Sequence, residues 1–499
     1  MIPSTIWSLS SSANKLLPPE ENLVIAMPRL LQETLLATVA RYPESTALVT
    51  DNVRLSYREI ADYGCRLAHA LYSRGVQCGD RVVVFMDNGW RCAASIFGVL
   101  LAGGVFVPVN TQIKRDKLAF ILRDTGARVL LSESNLARVF GPVAEQLPTL
   151  QVLCAADAEA LPARVENLDE ALATLPATLL PQSAISLGLA ALLYTSGTTG
   201  EPRGVMHTHQ SLLFVLDSIN QYLSISQDDR LFSALPLNFG YGLFQWFSAV
   251  RAGATLVLER SFIYPTQVFK RIHDEAVTSF AGVPTVYAMM LAQDAKQSLR
   301  FPSVRLLTNA AAALPVEFIP DIRRIFPRAR LYKMYGQTEC IRSAYLEPAL
   351  AEAKPESVGR AIPGTELLLL GEDGRPVALG EVGTLYVRGP HVMRGYWNQP
   401  EKTAEVLVPD PLSGEFLLKS GDLFRQDVDG DFYFVARGDE IIKSRGEKIS
   451  PAEVENAIYS LPAVREAIVV GIPDPLLGEA VCAFVTPREG EKLSVQQIK

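Results

Sequence analysis

The run GLAALLYT, ending at Thr195, restricts this chain more than any other stretch: it reads as a buried strand, and it passes directly into the loop TSGTTGEPRGV. Glycines at 197 and 200 let backbone amides turn inward without a Cβ penalty, and Thr195, Ser196, Thr198 and Thr199 add hydroxyl donors. Arg203 supplies a fixed positive charge. Such a loop suits phosphate. A solvated Gly/Ser/Thr surface loop is the competing reading of this stretch taken alone. No GxxxxGK[ST] occurs anywhere, so P-loop ATPase chemistry is disfavoured.

Around that strand the pattern is βα alternation. Between 53 and 136 short apolar strands such as RVVVFM alternate with helical stretches such as EIADYGCRLAHALYSRG and AASIFGVLLAG, the signature of a doubly wound sheet. The segment from about 209 to 290 repeats it, with helices at about 209–223 and 265–276 and strands at about 230–235 and 254–258. Residues 1–27 read as a leader arm, 28–43 as a helix, and 151–188 as a surface connection with a short helix near 168–175. From 364 to 435 the turn clusters EDGRP, DPLSGE and DVDGD space short β-rich runs, which predicts a small antiparallel barrel. After Arg437 a hairpin, a helix capped near Ser450 with Pro451 in its first turn, and two strands make a small separate domain.

A chain of 499 residues exceeds what one core supports, so at least two folding units are expected. The net charge of −7 argues against nucleic acid as the main partner. Six cysteines without a CxxC pair imply neither zinc nor a disulfide framework, and the five histidines show no metal spacing. With no basic n-region ahead of an apolar stretch and no run long enough for a membrane span, a soluble, cytoplasmic protein is expected.

The loop has company in fixed order: LTNAAAALP at 307–315, YKMYGQTE at 332–339, GTLYVRGP at 383–390, SGDL at 420–423 and RGDEIIKSRGEKISPAEVE at 437–455. Together these resemble the core motifs of the AMP-forming adenylating superfamily of acyl-CoA synthetases, peptide-synthetase adenylation domains and firefly-type luciferases, over nearly the whole chain from about residue 28. The resemblance implies an α/β fold. Two doubly wound βα subdomains and a small β-barrel would form a large adenylating domain over 1–436, followed by a mobile α+β domain over 437–499. The implied reaction is attack of a carboxylate on the α-phosphorus of ATP, giving acyl-AMP and pyrophosphate, then transfer to the thiol of CoA or of a phosphopantetheine arm. A carboxylate is already ionised at neutral pH, so no general base is required. Positioning and positive charge are.

Roles follow where the letters match. The resemblance implies that Thr195, Ser196, Gly197, Thr198, Thr199 and Gly200 grip the β and γ phosphates, with Arg203 where most relatives have lysine. Glu339 would bind Mg²⁺ and Thr338 would contact the α-phosphate. Tyr335, beside Gly336, would lie against adenine, opposite the backbone of Ala311 and Ala312, while Asp422 and Arg437 would hold the ribose. Asp439 takes the hinge position, Gly446 the thiol channel, and Lys443 would assist thiol transfer. Taken singly, Tyr335 also reads as a core aromatic, Glu339 as a helix cap, Asp422 as a turn residue and Arg437 as a surface charge.

Three departures bear on substrate. PLNFGYGL at 236–243 puts Phe239 where CoA ligases have histidine, and Gly240 where amino-acid adenylation domains have the aspartate that binds an α-ammonium. An acid without an α-amino group is therefore expected, in an apolar pocket lined by Phe239, Gly240, Tyr241, Phe244, Ala310 and Met334. Arg203 for lysine retains the charge. Relatives also carry a lysine, late in the small domain, that bridges carboxylate and α-phosphate; nothing after Arg437 matches it, Lys499 lies in a helix-like start, and Lys443 and Lys448 belong to the hinge-proximal motif. The sequence is accordingly expected to be a truncated representation of a longer protein. Loading of an acyl carrier protein is the alternative to CoA ligation; a non-catalytic ATP binder or a luciferase-like oxygenase is a more distant one.

Overall fold

The structure, a computed structural model, describes residues 27–50, 53–155, 164–196, 202–410, 413–438, 442–444, 447–474, 478–488, 490–491 and 493–494. Two sheets with parallel cores face one another across a shared layer of helices. The first runs Val165–Asn167, Gln151–Ala155, Val129–Glu133, Arg81–Phe85, Val105–Pro108, Leu189–Ser196 and Pro202–Thr208, parallel throughout except for the last pair. The central strands are buried on both faces, which is why they read as unbroken apolar runs. In the second sheet Thr46–Thr50, Thr255–Leu258, Arg230–Ser233, Ser279–Gly282, Leu306–Asn309 and Arg330–Tyr335 are parallel neighbours.

Helices Tyr57–Ser73, Trp90–Leu101, His209–Leu223 and Gly240–Ala252 supply much of the core between the sheets. Trp246 is fully buried there and donates its indole N–H to the Ala93 carbonyl at 3.1 Å, so its one polar atom is satisfied. Capping fixes two of the helix starts: Ser56 accepts from the Glu59 amide, and Thr208 from the Ser211 amide.

The connection read over 151–188 is in part sheet. Gln151–Ala155 and Val165–Asn167 extend the first sheet, and Val152, Leu153, Cys154 and Ala155 are buried. A five-residue run ending in Cys and Ala gives too little periodicity to mark a strand, and tertiary pairing decides it. The short helix is Leu168–Ala173. The antiparallel strands Ala344–Leu346, Ser357–Ala361, Phe432–Arg437, Phe416–Gln426, Gly383–Arg388 and Glu366–Leu370 continue the second sheet from Arg330–Tyr335 onward. Among the described residues no backbone pairing closes them into a separate barrel. A bulge at Ser357/Gly359 bends this run; Gly359 has φ +78°, and a Cβ there would meet the Tyr345 carbonyl oxygen at 2.0 Å.

The carboxyl-terminal unit has its own four-stranded sheet, ordered Glu447–Ile449, Ile442–Ser444, Gly478–Pro487 and Val464–Asp474. Helix Pro451–Tyr459 packs on it, capped by Ser450, whose hydroxyl accepts from the Glu453 amide at 3.3 Å. Of the leader arm read over 1–27, residues 1–26 lie outside the described residues. No helix among them is long and apolar enough to cross a membrane.

Candidate active site

The expected adenine residues lie at the carboxyl ends of two parallel strands, where open α/β sheets bind ligands, and the expected ribose residues Asp422 and Arg437 face each other on a pair of antiparallel strands. Leu306–Asn309 leads into Ala310–Ala312, and its neighbour Arg330–Tyr335 leads into Gly336–Glu339. Ala311 holds φ +75° without being glycine, and the Asn309 side-chain amide donates to the Ala312 carbonyl at 3.0 Å, pinning the turn. The turn is thus strained and pinned. Gly336 is obligatory in its own turn, since a Cβ would come within 2.4 Å of the Ile341 carbonyl oxygen.

On the phosphate side, Leu189–Ser196 and Pro202–Thr208 form the antiparallel arms of the loop, with Thr195 opposite Arg203. Gly197, Thr198, Thr199 and Gly200 lie outside the described residues. The Arg203 guanidinium sits 5.6 Å from the centroid of the Tyr396 ring, and the Tyr396 hydroxyl donates to Glu339 Oε1 at 2.8 Å. Arg203 and Glu339 are thus joined through one phenol. Backbone bonds clip Tyr396 in place: the Met206 amide donates to the Gly395 carbonyl at 2.9 Å and the Trp397 amide to the Gly204 carbonyl at 2.7 Å.

Thr338 is held from behind. Its carbonyl accepts from His207 Nε2 at 2.8 Å. His207 is fully buried, and burial pushes its imidazole down to about 4, the bond to Thr338 opposing only in part. It is neutral at pH 7, a positioning group and not a base.

The nucleoside side is a second cluster. Asp422, 4 % exposed, accepts from the Tyr335 hydroxyl at 2.5 Å through Oδ2 and faces Arg437 Nε at 3.5 Å through Oδ1. Ser420 anchors the same turn by accepting from the Asp422 amide at 3.1 Å. Tyr335 packs edge-on against Phe424 at 4.8 Å. Burial, reinforced by the neighbouring carboxylate, raises the Tyr335 phenol well above its ordinary range, so it remains a donor.

Around the expected acid pocket, Phe239 is 36 % exposed and caps helix Gly240–Ala252, with its ring edge-on to Tyr241 at 6.4 Å. The Tyr241 hydroxyl shares a 2.5 Å hydrogen bond with Thr308. Ala310 and Met334 are buried in the same core cluster, and Met334 Sδ accepts from the Tyr222 hydroxyl at 3.1 Å. Phe244 is 1 % exposed and packs on Phe247 in the same core cluster. Strand Ile442–Ser444 carries Lys443 and Glu447–Ile449 carries Lys448, while Asp439, Gly446 and Lys499 lie outside the described residues.

Sequence reading missed Tyr396, His207 and Arg342. The first two act through contacts 57 and 131 residues away in the chain, for which no local pattern exists.

As a donor set, the site suits a nucleotide. Glu339 presents a hard carboxylate whose Oε2 accepts no hydrogen bond among the described residues. No cluster of three or more His, Cys, Asp or Glu that could hold a metal occurs among them.

Comparison with known proteins agrees. Residues 35–397 match the AMP-binding enzyme family and residues 453–499 the AMP-binding enzyme C-terminal domain. The chain is 34% identical to the indoleacetate–CoA ligase of Aromatoleum aromaticum, over 91% of this chain and 88% of that protein. It is 30% identical to the long-chain-fatty-acid–CoA ligase of Bacillus subtilis, over 94% and 88% respectively. The crystal structure of the anthranilate CoA ligase AuaEII in complex with anthranoyl-AMP superposes with a TM-score of 0.86 at 26% identity, covering 95% of this chain and 90% of that one. The chain belongs to the AMP-binding enzyme family, as an AMP-forming acid–thiol ligase of the acyl-CoA synthetase type.

Proposed function

We propose that the enzyme activates a carboxylic acid lacking an α-amino group and delivers it to the thiol of CoA. The acid's carboxylate oxygen bonds to the α-phosphorus of ATP as the bond to the β-phosphate oxygen breaks, releasing pyrophosphate. The thiolate then attacks the acyl carbon and AMP leaves. The observation that carries this reading is the pair of clusters Arg203–Tyr396–Glu339 and Tyr335–Asp422–Arg437, linked through the turn that runs from Tyr335 to Glu339. One has the charges for a polyphosphate, the other the acceptors for ribose hydroxyls.

Arg203 would meet the phosphates, Thr338 the α-phosphate, and Ala311 and Ala312 the adenine edge opposite Tyr335. Bound Mg²⁺ would neutralise phosphate charge, with Glu339 as its protein ligand. Neutral His207 would keep the Thr338 carbonyl fixed. We assign residues 1–436 to the adenylating domain and 437–499 to the domain that presents the thiol, with Asp439 at the hinge, Gly446 in the thiol channel and Lys443 near the transfer step.

Similarity to CoA ligases over nearly their whole length favours CoA as acceptor. The test is ATP–pyrophosphate exchange across fatty, aryl and short branched acids, followed by single-turnover transfer to CoA and to holo carrier proteins. Acid-dependent exchange with thioester formed on CoA is expected. Transfer only to a carrier protein would replace CoA in this reading, and exchange driven best by a proteinogenic amino acid would remove the substrate class.

A further inference from the structure

The described residues bury four aspartates, one lysine and one arginine, and each of the aspartates has a cationic partner. Asp229 pairs with Arg305, Asp294 with Arg324, Asp431 with Lys354, and Asp422 with Tyr335 and Arg437. Of the buried bases, Lys333 donates to the Pro355 carbonyl, and burial lowers its ammonium to about 8, so it can shed its charge. Arg342, only 3 % exposed, cannot, because a guanidinium stays protonated in any protein interior. Among the described residues no carboxylate lies in ion-pair reach of it, and its Nε is buried without an acceptor.

The backbone drives this side chain inward. Ile341 adopts φ +60°, a left-handed conformation that a β-branched residue rarely takes. The Ile341 amide bonds the Gln337 carbonyl at 2.6 Å and the Ser343 amide the Tyr335 carbonyl at 2.9 Å, folding the chain back on the YGQTE turn. The Arg342 guanidinium then lies 5.3 Å from the centroid of the Tyr241 ring and close enough to Tyr222 to act on its phenol. Tyr222 bonds Met334, and a Cβ on Gly240 would touch Ile341 Cδ1 at 3.4 Å. Arg342 therefore stands against Tyr241, one of the residues expected to hold the acid, and against Tyr222, which bonds a second of them, Met334.

We propose that Arg342 is a specificity-determining residue that receives a second carboxylate on the substrate, so that dicarboxylic acids are the preferred class. Two phenols give the guanidinium ring faces and dipoles but no countercharge; a carboxylate matches its planar fork in two parallel hydrogen bonds. The same charge repels an ammonium, an independent reason for amino acids to be poor substrates. This inference rests on the adenylation reading above.

Its test compares dicarboxylic acids, linear from malonate to adipate and the three benzenedicarboxylates, with their monomethyl esters in ATP–pyrophosphate exchange. For the wild-type enzyme at least one diacid is expected to exceed its own ester in kcat/KM by about tenfold or more, mostly through KM. Arg342→Met should erase that preference while retaining turnover of the ester, and Arg342→Lys should keep part of it. Equal or better use of every ester by the wild-type enzyme overturns the inference and leaves adenylation standing; so does Arg342→Met lowering diacid and ester alike. The wild-type comparison decides the matter even if the methionine variant does not fold. No exchange with any acid would overturn the adenylation reading itself.

Discussion

Lys354 and Arg342 sit twelve residues apart in sequence and show two opposite treatments of a cation. Lys354 donates to Asp427 at 2.8 Å, Asp429 at 2.8 Å and Asp431 at 2.5 Å, and Arg360 adds a bond to Asp431 at 3.1 Å. Charge is closed on itself there. Arg342, and likewise Arg203, has a buried Nε with no acceptor and no ion pair among the described residues. Both stand beside the expected ligands. The Lys354 cluster closes its charges on one another, while these two guanidiniums face aromatic rings with no carboxylate in ion-pair reach among the described residues.

This contrast is open to attack by mutation. Glu339→Ala should lower ATP–pyrophosphate exchange by roughly a thousandfold with little change in Tm, because among the described residues its side chain holds only the Tyr396 hydroxyl. Near-normal exchange would place Glu339 with the structural charges. Arg203→Met should cost about a hundredfold in kcat, and Arg203→Lys much less, since charge and not the planar fork is what the phosphates need; a lysine variant as poor as methionine would show that the Tyr396 contact matters more. Asp422→Asn should raise the KM for ATP about tenfold and alter kcat less, provided the carboxylate acts in binding.

Lys354→Met is the converse case. Its kcat/KM should be that of wild type while Tm drops by a few degrees. Burial would push the Asp427 carboxyl up, but hydrogen bonds led by Lys354 outweigh it and hold the group down at about 2. A depressed carboxyl stabilises the fold above its unfolded value near 4, and that contribution is lost as pH falls toward 2. The Tm gap between Lys354→Met and wild type should therefore be widest at neutral pH and narrow below about pH 4. A gap that is constant with pH would mean Lys354 acts by packing alone.

What was legible in the sequence was whatever local chemistry dictates. The buried strand Leu189–Ser196, helix His209–Leu223 and the Ser450 cap lie where periodicity and capping residues put them. Tyr335 and Asp422, 87 residues apart, were paired only through the family resemblance, and the fold brings them together. Arg342 carries no local signal after YGQTE; the left-handed turn at Ile341 precedes it, and no spacing rule announces such a turn. Gln151–Ala155 escaped notice because a short strand deep in a sheet owes its state to its neighbours.

The curl of the second sheet has one more consequence. Arg330–Tyr335 and Phe416–Gln426 are separated by three intervening strands, a displacement of roughly 19 Å in a flat sheet. Yet the Tyr335 hydroxyl reaches Asp422 at 2.5 Å. The sheet must roll until those strands face each other, with the Gly359 bulge permitting the bend. The seam of this roll is stitched by side chains in place of backbone ladders: Tyr335 to Asp422, and Tyr335 edge-on to Phe424. A nucleoside bound along that line would act as a spacer setting how tightly the roll is drawn, so the recognition of adenine and ribose and the curvature of the sheet would be one mechanical variable.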